Sequence, residues 1–245
     1  SPTTGLPVSG NSLYMPMLVQ ISNPEGSAKL NGKTVTAAGI GTRAPWGGQY
    51  ADIVYEGILY RSGQTRMTFL YNDSFVEGQP LSVGPVRSAR VGHVYLREEW
   101  QGGIIFAGGP RREGNDIFSL FSELGATEKG LTFNILDGKY DEVKRRLDGI
   151  LQGPDNYGVN PVGFRDLIPN TTVAEEHPFL FSDASPYVDG YEVAYTINLD
   201  WGHKRYISHF YYDEANNLYL RYSCDAPYMT FSAINSAEDI NDENK

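Results

Sequence analysis

The stretch from Gln49 to Gly109 decides the fold: QYADIVYEGILYRSGQTRMTFLYND (49–73), SVGPVRSARVGHVYLREEW (82–100) and GGIIFAGG (102–109). In ADIVYEGIL the β-branched and aromatic residues favour a strand, and period-two alternation sorts them onto two faces. Asp52, Val54, Glu56 and Ile58 share one face; Ala51, Ile53, Tyr55 and Gly57 share the other. YRSGQT then turns the chain and RMTFLYND returns, so Asp52–Leu59 and Arg66–Asn72 read as a hairpin. The two carboxylates on one largely apolar face are expensive if buried without partners.

SVGPVRSAR reads as a helix opening, with Gly84 as N-cap and Pro85 at the first helical position. Val86, Ala89, His93, Leu96 and Trp100 fall at helical spacing and define its core face. Arg87 and Arg90 are then surface neighbours in the first turns, where the macrodipole disfavours cations. Two readings supply the negative group they need. Asp52 or Glu56 pairs with them and locks helix to sheet, or helix N–H groups and guanidinium forks converge on an anionic ligand. Structural ion pairs are the commoner case, and the two can coexist. With Arg66 on the returning strand and Gly108-Gly109 at the end of GGIIFAGG, the candidate ligand-binding set is Arg87, Arg90, Asp52, Glu56, Arg66, Gly108 and Gly109.

ADIVYE, the TR of QTRMTFLY, GPVRSAR and the AGG of IIFAGG resemble the YerB-like family of bacterial lipoproteins, a family of unknown function. The opening SPTTGLPVSG, and later PFLFSD and YYDEANNLYLRY, resemble its N-terminal and C-terminal segments, so the likeness touches most of the chain in order. Two departures stand out. The resemblance implies a His before AGG, where this chain has Phe106, and an Ala-Pro-His-Asn element, where GVNPVGFRDL stands. Those were the natural acid/base candidates.

At 245 residues the chain can bury a sizeable core, and 40% hydrophobic with 13% aromatic residues excludes global disorder. A net charge of −10 argues against a nucleic-acid binder, which needs a basic surface, but leaves room for a local basic pocket. Many of the 17 tyrosines cluster in the last third, pointing to strands with a half-exposed aromatic face. The single Cys224 forms no internal disulfide and no zinc site. His203 and His209 lack Cys or Glu at ligand spacing, so no metal and no cofactor is expected.

Taken in order, residues 1–12 form a tether or extended arm, 13–172 a mixed α/β domain and 173–245 a mostly-β C-terminal lobe; the fold class is α+β. YMPMLVQIS is an apolar strand and AKLNGKTVT a hairpin turned by Asn31-Gly32. Gly39-Ile40-Gly41 followed by Ala44 mimics a dinucleotide fingerprint, but Pro45 and Gly47-Gly48 forbid its helix. Asn115 caps a helix, DIFSLFSELGA; LTFNILDG is a short strand; DEVKRRLDGILQG is a second helix; PDNYGVNPVGFRDLIPNTT is a long loop. Three strands follow, YEVAYTINL, KRYISHFYYD and NLYLRYSCD, with Asn216-Asn217 between the last two, before a charged, frayed end. Three strands make a marginal lobe, so it is read as incomplete and its last strand as open to a strand-donating partner.

No nucleophile elbow, phosphate loop, paired-His zinc motif or kinase signature occurs. The sequence leaves enzymatic activity open but favours binding. The expectation is an extracytoplasmic envelope domain that binds an anionic small molecule, a cell-wall component or an envelope protein. It makes no nucleic-acid contact and touches the membrane only through a lipid anchor upstream in the precursor. The alternative is a glycan- or peptidoglycan-acting enzyme that divides acid and base roles between Asp52 and Glu56.

Overall fold

The computed structural model describes residues 1–7, 14–23, 28–30, 33–35, 45–60, 63–146, 156–175, 179–182, 190, 192–203, 206–223 and 226–231. The expectations placed on Asn31-Gly32, the 36–44 loop, Cys224 and the charged end lie outside these residues.

The centre is β1 (Met17–Asn23), buried along its whole length. Its apolar residues Met17, Leu18, Val19 and Ile21 fill both faces, as a strand covered on both sides requires, and the buried Gln20, Ser22 and Asn23 are the polar exceptions. After β2 (Ala28–Leu30) and β3 (Lys33–Val35), which pair as the expected hairpin, come β4 (Ile53–Ile58) and β5 (Thr65–Tyr71). β5 runs antiparallel to both β1 and β4. α1 (Val91–Trp100) leads into β6 (Gly103–Phe106), parallel to β1. Two short strands, β7 (Arg111–Arg112) and β8 (Asn115–Asp116), pair before α2 (Ile117–Glu123), and β9 (Thr132–Asn134) then lies parallel to β6. The five-stranded sheet has the order β4-β5-β1-β6-β9. Alternation splits its core in two. Met17, Val19, Ile21, Met67 and Phe69 face one cluster with Phe133 and Phe164; Leu18, Leu70 and Ile104 face the other with Val94, Trp100 and Phe121 of the helices.

Three expectations change here. Val83–Ala89 is extended, not helical, and α1 starts only after Arg90. The residue before a proline is held away from helical backbone, and the segment finds ladder partners on several sides. Trp46 N donates to Gly84 O at 2.8 Å, Arg87 N to Gln20 O at 2.8 Å, and Val83 and Val159 exchange both bonds at 2.8 and 2.9 Å. Val86 and Ala89 therefore reach the core as strand residues, and α1 buries Val94, Arg97 and Trp100 instead. Second, the described part of DEVKRR gives no helix. β10 (Lys144–Arg146) pairs with β11 (Tyr157–Val159), since an acidic start and basic middle favour a helix by only tenths of a kcal/mol per site. Third, the expected long loop holds β11 and α3 (Pro161–Asp166), capped by Asn160, whose Oδ1 accepts from Gly163 N at 3.2 Å. Asp116, not Asn115, caps α2 by accepting from Phe118 N and Ser119 N.

The C-terminal strands are β12 (Thr196–His203), β13 (Tyr206–Asp213), β14 (Leu218–Ser223) and β15 (Ala226–Pro227), in that order in one antiparallel sheet. Tyr211 and Tyr222 meet edge to face and Tyr212 and Tyr219 at a tilt, with centroids 4.9 and 5.2 Å apart, the half-exposed aromatic surface expected from the tyrosine count. The open edge expected of β14 is closed over part of its length, because Tyr222 and Ser223 pair with β15 and Tyr228 N donates to Arg221 O at 2.9 Å. Phe231 then bridges to Trp46, tying this sheet back to the first. The fold is α+β, with strands dominating.

Trp46 is fully buried, donates its indole N–H to Ser82 Oγ at 3.0 Å and lies flat against Gly84. A Cβ on Gly84 would stand 2.2 Å from Trp46 Cζ2. Gly84→Ala therefore overpacks the site and should destabilise the fold by about 1–3 kcal/mol, read as a lower midpoint in urea unfolding; an unchanged midpoint would refute the packing account.

Candidate functional site

The two carboxylates of β4 do not meet Arg87 or Arg90. Glu56 Oε2 takes an ion pair from Arg221 Nη2 at 2.8 Å and a bond from Ser208 Oγ at 3.0 Å. Its Oε1 accepts from Thr65 Oγ1 at 2.7 Å and Asn23 Nδ2 at 2.9 Å. Tyr228 closes the network by donating to Asn23 Oδ1 at 2.8 Å, and burial pushes its phenol up to about 12. The physical reason is placement: β4 is the sheet edge, and its polar face lies against β13 and β14.

Asp52, at the other end of β4, accepts from Asn72 N at 2.9 Å, Asp73 N at 3.0 Å and Thr3 Oγ1 at 2.8 Å. It thereby caps the 3₁₀ turn Asp73–Glu77, whose own N-cap residue Asn72 makes no side-chain cap bond. Burial raises the Asp52 carboxyl above its ordinary value, and the Asp73 charge adds to this against the donors. Asp52 borders a cleft of about 420 Å³ with Asp73 and Glu77; Glu56 does not line it. Both carboxylates are thus placed as structural ties.

The arginines converge without them. On β5, Arg66 alternates with Met67 and so points to the helix side of the sheet, with Thr68 and Leu70. It is 6% exposed and donates through Nη1 to Ser88 O, while its Nε is buried with no acceptor. Arg90, just before α1, donates to Ala89 O at 2.8 Å and to Tyr60 OH at 3.0 Å. Arg87 enters from the extended segment, whose O accepts from Ala107 N at 3.0 Å. Burial, then the Arg90 and Arg87 charges, lowers Arg66 to about 9. His93 Nδ1 accepts from Arg90 N at 2.9 Å, so the neutral ring carries its proton on Nε2. Burial, then Arg66 and Arg90, lowers that imidazole to about 3. The bond from Arg90, and the charges of Arg90, Arg66 and Arg87, lower the Tyr60 phenol.

Gly108 and Gly109 run beside this cluster. Ala89 N donates to Gly108 O at 3.0 Å, Gly108 takes a left-handed φ of 71°, and a Cβ on Gly109 would crowd Ile117 and Ala89 O. The structure therefore gathers Arg66, Arg87, Arg90, Gly108 and Gly109 at one place and removes Asp52 and Glu56 to another. A larger cleft of about 750 Å³ lies elsewhere, between Tyr14, Phe75, Arg165 and Val173. Sequence reasoning missed Gln20, Tyr60, His93 and Arg221. Gln20 was legible as a polar break in an otherwise apolar buried strand, and His93 had been assigned to a core face; Arg221, 165 residues from Glu56, gave no local signal.

An α+β domain with a buried arginine cluster against its main sheet is the class these observations define. Residues 39–132, which contain the whole cluster beyond β1, match the family model described as "Protein of unknown function (DUF3048) N-terminal domain". The fold is similar to the crystal structure of the YerB protein from Bacillus subtilis, with a TM-score of 0.66 and 21% sequence identity over 94% of this chain and 68% of that one. Among curated proteins the comparison finds no match. The resemblance to YerB-like proteins of unknown function read from the sequence holds.

Two outcomes follow from the geometry. Arg221→Met leaves Glu56 without its cation and should cost about 1–3 kcal/mol; a double-mutant cycle with Glu56→Gln should show strong coupling, and additive effects would contradict the network. His93 has a depressed folded value, so the unfolded chain binds the extra proton between pH 3 and 6.5. Stability should therefore fall as pH drops below about 6.5, by at most about 1.4 kcal/mol per pH unit from this group. His93→Gln should flatten that part of the stability–pH curve relative to the parent chain.

Proposed function

We propose that this chain is a non-enzymatic binding domain of the cell envelope, working outside the cytoplasm on an anionic ligand held by Arg66, Arg87 and Arg90. One observation carries the reading. Arg66 is 6% exposed, and neither it nor Arg90 forms an ion pair among the described residues, although neighbouring guanidinium charges already strain it. A buried cation normally has a carboxylate partner. Here the carboxylates of the same hairpin are engaged elsewhere, and among the described residues no other carboxylate pairs with Arg66 or Arg90, which supports an anion supplied by a ligand. The Tyr60–Arg90 bond lies at the exposed rim, so an anion has a way in.

The envelope setting rests on the sequence resemblance to YerB-like lipoproteins, in which a lipid anchor upstream tethers the precursor. A membrane-fractionation and protease-accessibility assay on the native host protein tests that part.

Calorimetric titration of the chain with small anions tests the binding part. The expected result is saturable binding that weakens with ionic strength. Arg90→Ala should lose at least about tenfold in affinity, the value of one charge-assisted bond. No heat and no thermal stabilisation with any of phosphate, sulfate or acetate would end the reading.

A further inference from the structure

On the helix side of the main sheet, β1 and β5 set two side chains together whose donors go nowhere. Gln20 sits opposite Thr68 and Ser22 opposite Arg66, so Gln20 and Arg66 are diagonal neighbours on adjacent strands and share a face. Gln20 is completely buried. Its Oε1 accepts from Thr68 Oγ1 at 3.0 Å, which engages one end of the amide and not Nε2. That Nε2, like Arg66 Nε, is buried with no hydrogen-bond partner. A lone buried donor costs about 1–3 kcal/mol, and two on one face, one neutral and one cationic, both call for acceptor atoms.

Other side chains around them donate as well. Arg90 offers a guanidinium, and His93, with Nδ1 already accepting from Arg90 N, presents Nε2–H. Arg87 lies against Gln20 through its backbone, with its N donating to Gln20 O at 2.8 Å. No carboxylate joins Arg66 or Arg90 among the described residues. The acceptors here, Ser88 O, Ala89 O and Tyr60 OH, already take bonds from Arg66 and Arg90, so the donors left over favour a ligand rich in acceptors. A carboxylate offers two oxygens and one charge. A phosphate group offers more oxygens, arranged in three dimensions, and up to two charges, and so meets donors that arrive from a sheet face, an extended segment and a helix start.

We propose that Gln20 and Arg66 form the floor of a specific site for a doubly charged tetrahedral oxyanion, phosphate or a phosphate monoester, with Arg90 and His93 closing over it. This deepens the anion-binding reading and rests on it. The neutral His93 ring is then a reporter of occupancy, because a bound dianion beside it favours its protonated form.

The test uses the full chain and three probes: inorganic phosphate, glycerol 1-phosphate and acetate. Phosphate or its monoester should bind at least about tenfold tighter than acetate, the difference of one charge-assisted bond. Preference for the monoester over inorganic phosphate identifies a larger phosphorylated ligand as the source; the reverse identifies free phosphate. Gln20→Glu places an internal carboxylate beside Arg66 Nε and should abolish phosphate binding while keeping the far-ultraviolet spectrum. Gln20→Met, which keeps the volume and removes only the amide, should weaken it at least about fivefold, the loss of one bond near 1 kcal/mol. In proton–nitrogen spectra, phosphate should shift the His93 ring signals of the parent chain and not of Gln20→Glu. Binding of none of the probes overturns both the anion reading and this inference. Acetate binding as tightly as phosphate, or Gln20→Met binding phosphate like the parent, overturns this inference alone and leaves the anion reading standing; Arg66→Met binding phosphate like the parent overturns both.

Discussion

Glu56 is the constraint on which the arrangement depends. Its four donors come from β1, β5, β13 and β14, so one carboxylate fastens the edge of the first sheet to the C-terminal sheet. A carboxylate and a guanidinium that are each mostly buried are held in place only if their remaining lone pairs and protons are met. Asn23, Thr65 and Ser208 meet them on the carboxylate. On the other side Arg221 stacks over the Tyr228 ring at 3.8 Å, which shields its flat face. Because Glu56 is spent on this joint, it is not available to the arginines that lie beyond β5.

That division explains why the helix side of the sheet can be so one-sided in charge. Side chains on β4 and β5 alternate, so Glu56 falls on the face that meets Met67 and the C-terminal strands, and Arg66 falls on the opposite face. A one-residue slip in register would bring the opposite charges to one face and let them neutralise each other. The buried polar partners Asn23–Thr65 on one face and Gln20–Thr68 on the other pin the register between β1 and β5 at two points.

How much of this was legible follows from how local each signal was. β1, the β4–β5 hairpin and the three long C-terminal strands were read from period two and turn residues, because their burial pattern is set by immediate neighbours. The stretch around Pro85 was misread since capping logic sees only sequence neighbours, while Trp46, Val159 and Gln20, all distant in the chain, supply the ladder that keeps it extended. The same holds for Lys144–Arg146, which pairs with Tyr157–Val159 rather than coiling on itself. The sequence groups Arg66, Arg87 and Arg90, but it places Asp52 and Glu56 with them and misses Gln20, Tyr60 and His93. Its stated cause, a helix dipole beside two cations, also differs from the structure, where Arg66 is buried against β1 ahead of the helix. Glu56 was assigned to the cluster because β4 adjoins it in sequence, whereas its true partner lies 165 residues on.

The net charge of −10 sharpens the argument about what the arginines do. At distances beyond about 10 Å the chain as a whole repels an anion, and salt screens that repulsion. A cationic surface that worked by steering would be poorly placed on such a molecule. A buried group of donors works differently: its pull is felt only after the ligand has shed water, and is then stronger for lying in a medium of low polarity. Arg66 at 6% exposure and Gln20 at full burial belong to that second kind. Discrimination in such a site comes from matching each donor with an acceptor atom, since any donor left over carries the whole desolvation penalty. An anion bound as proposed would therefore be selected by the match of donors to acceptors at short range and not by the charge of the chain as a whole.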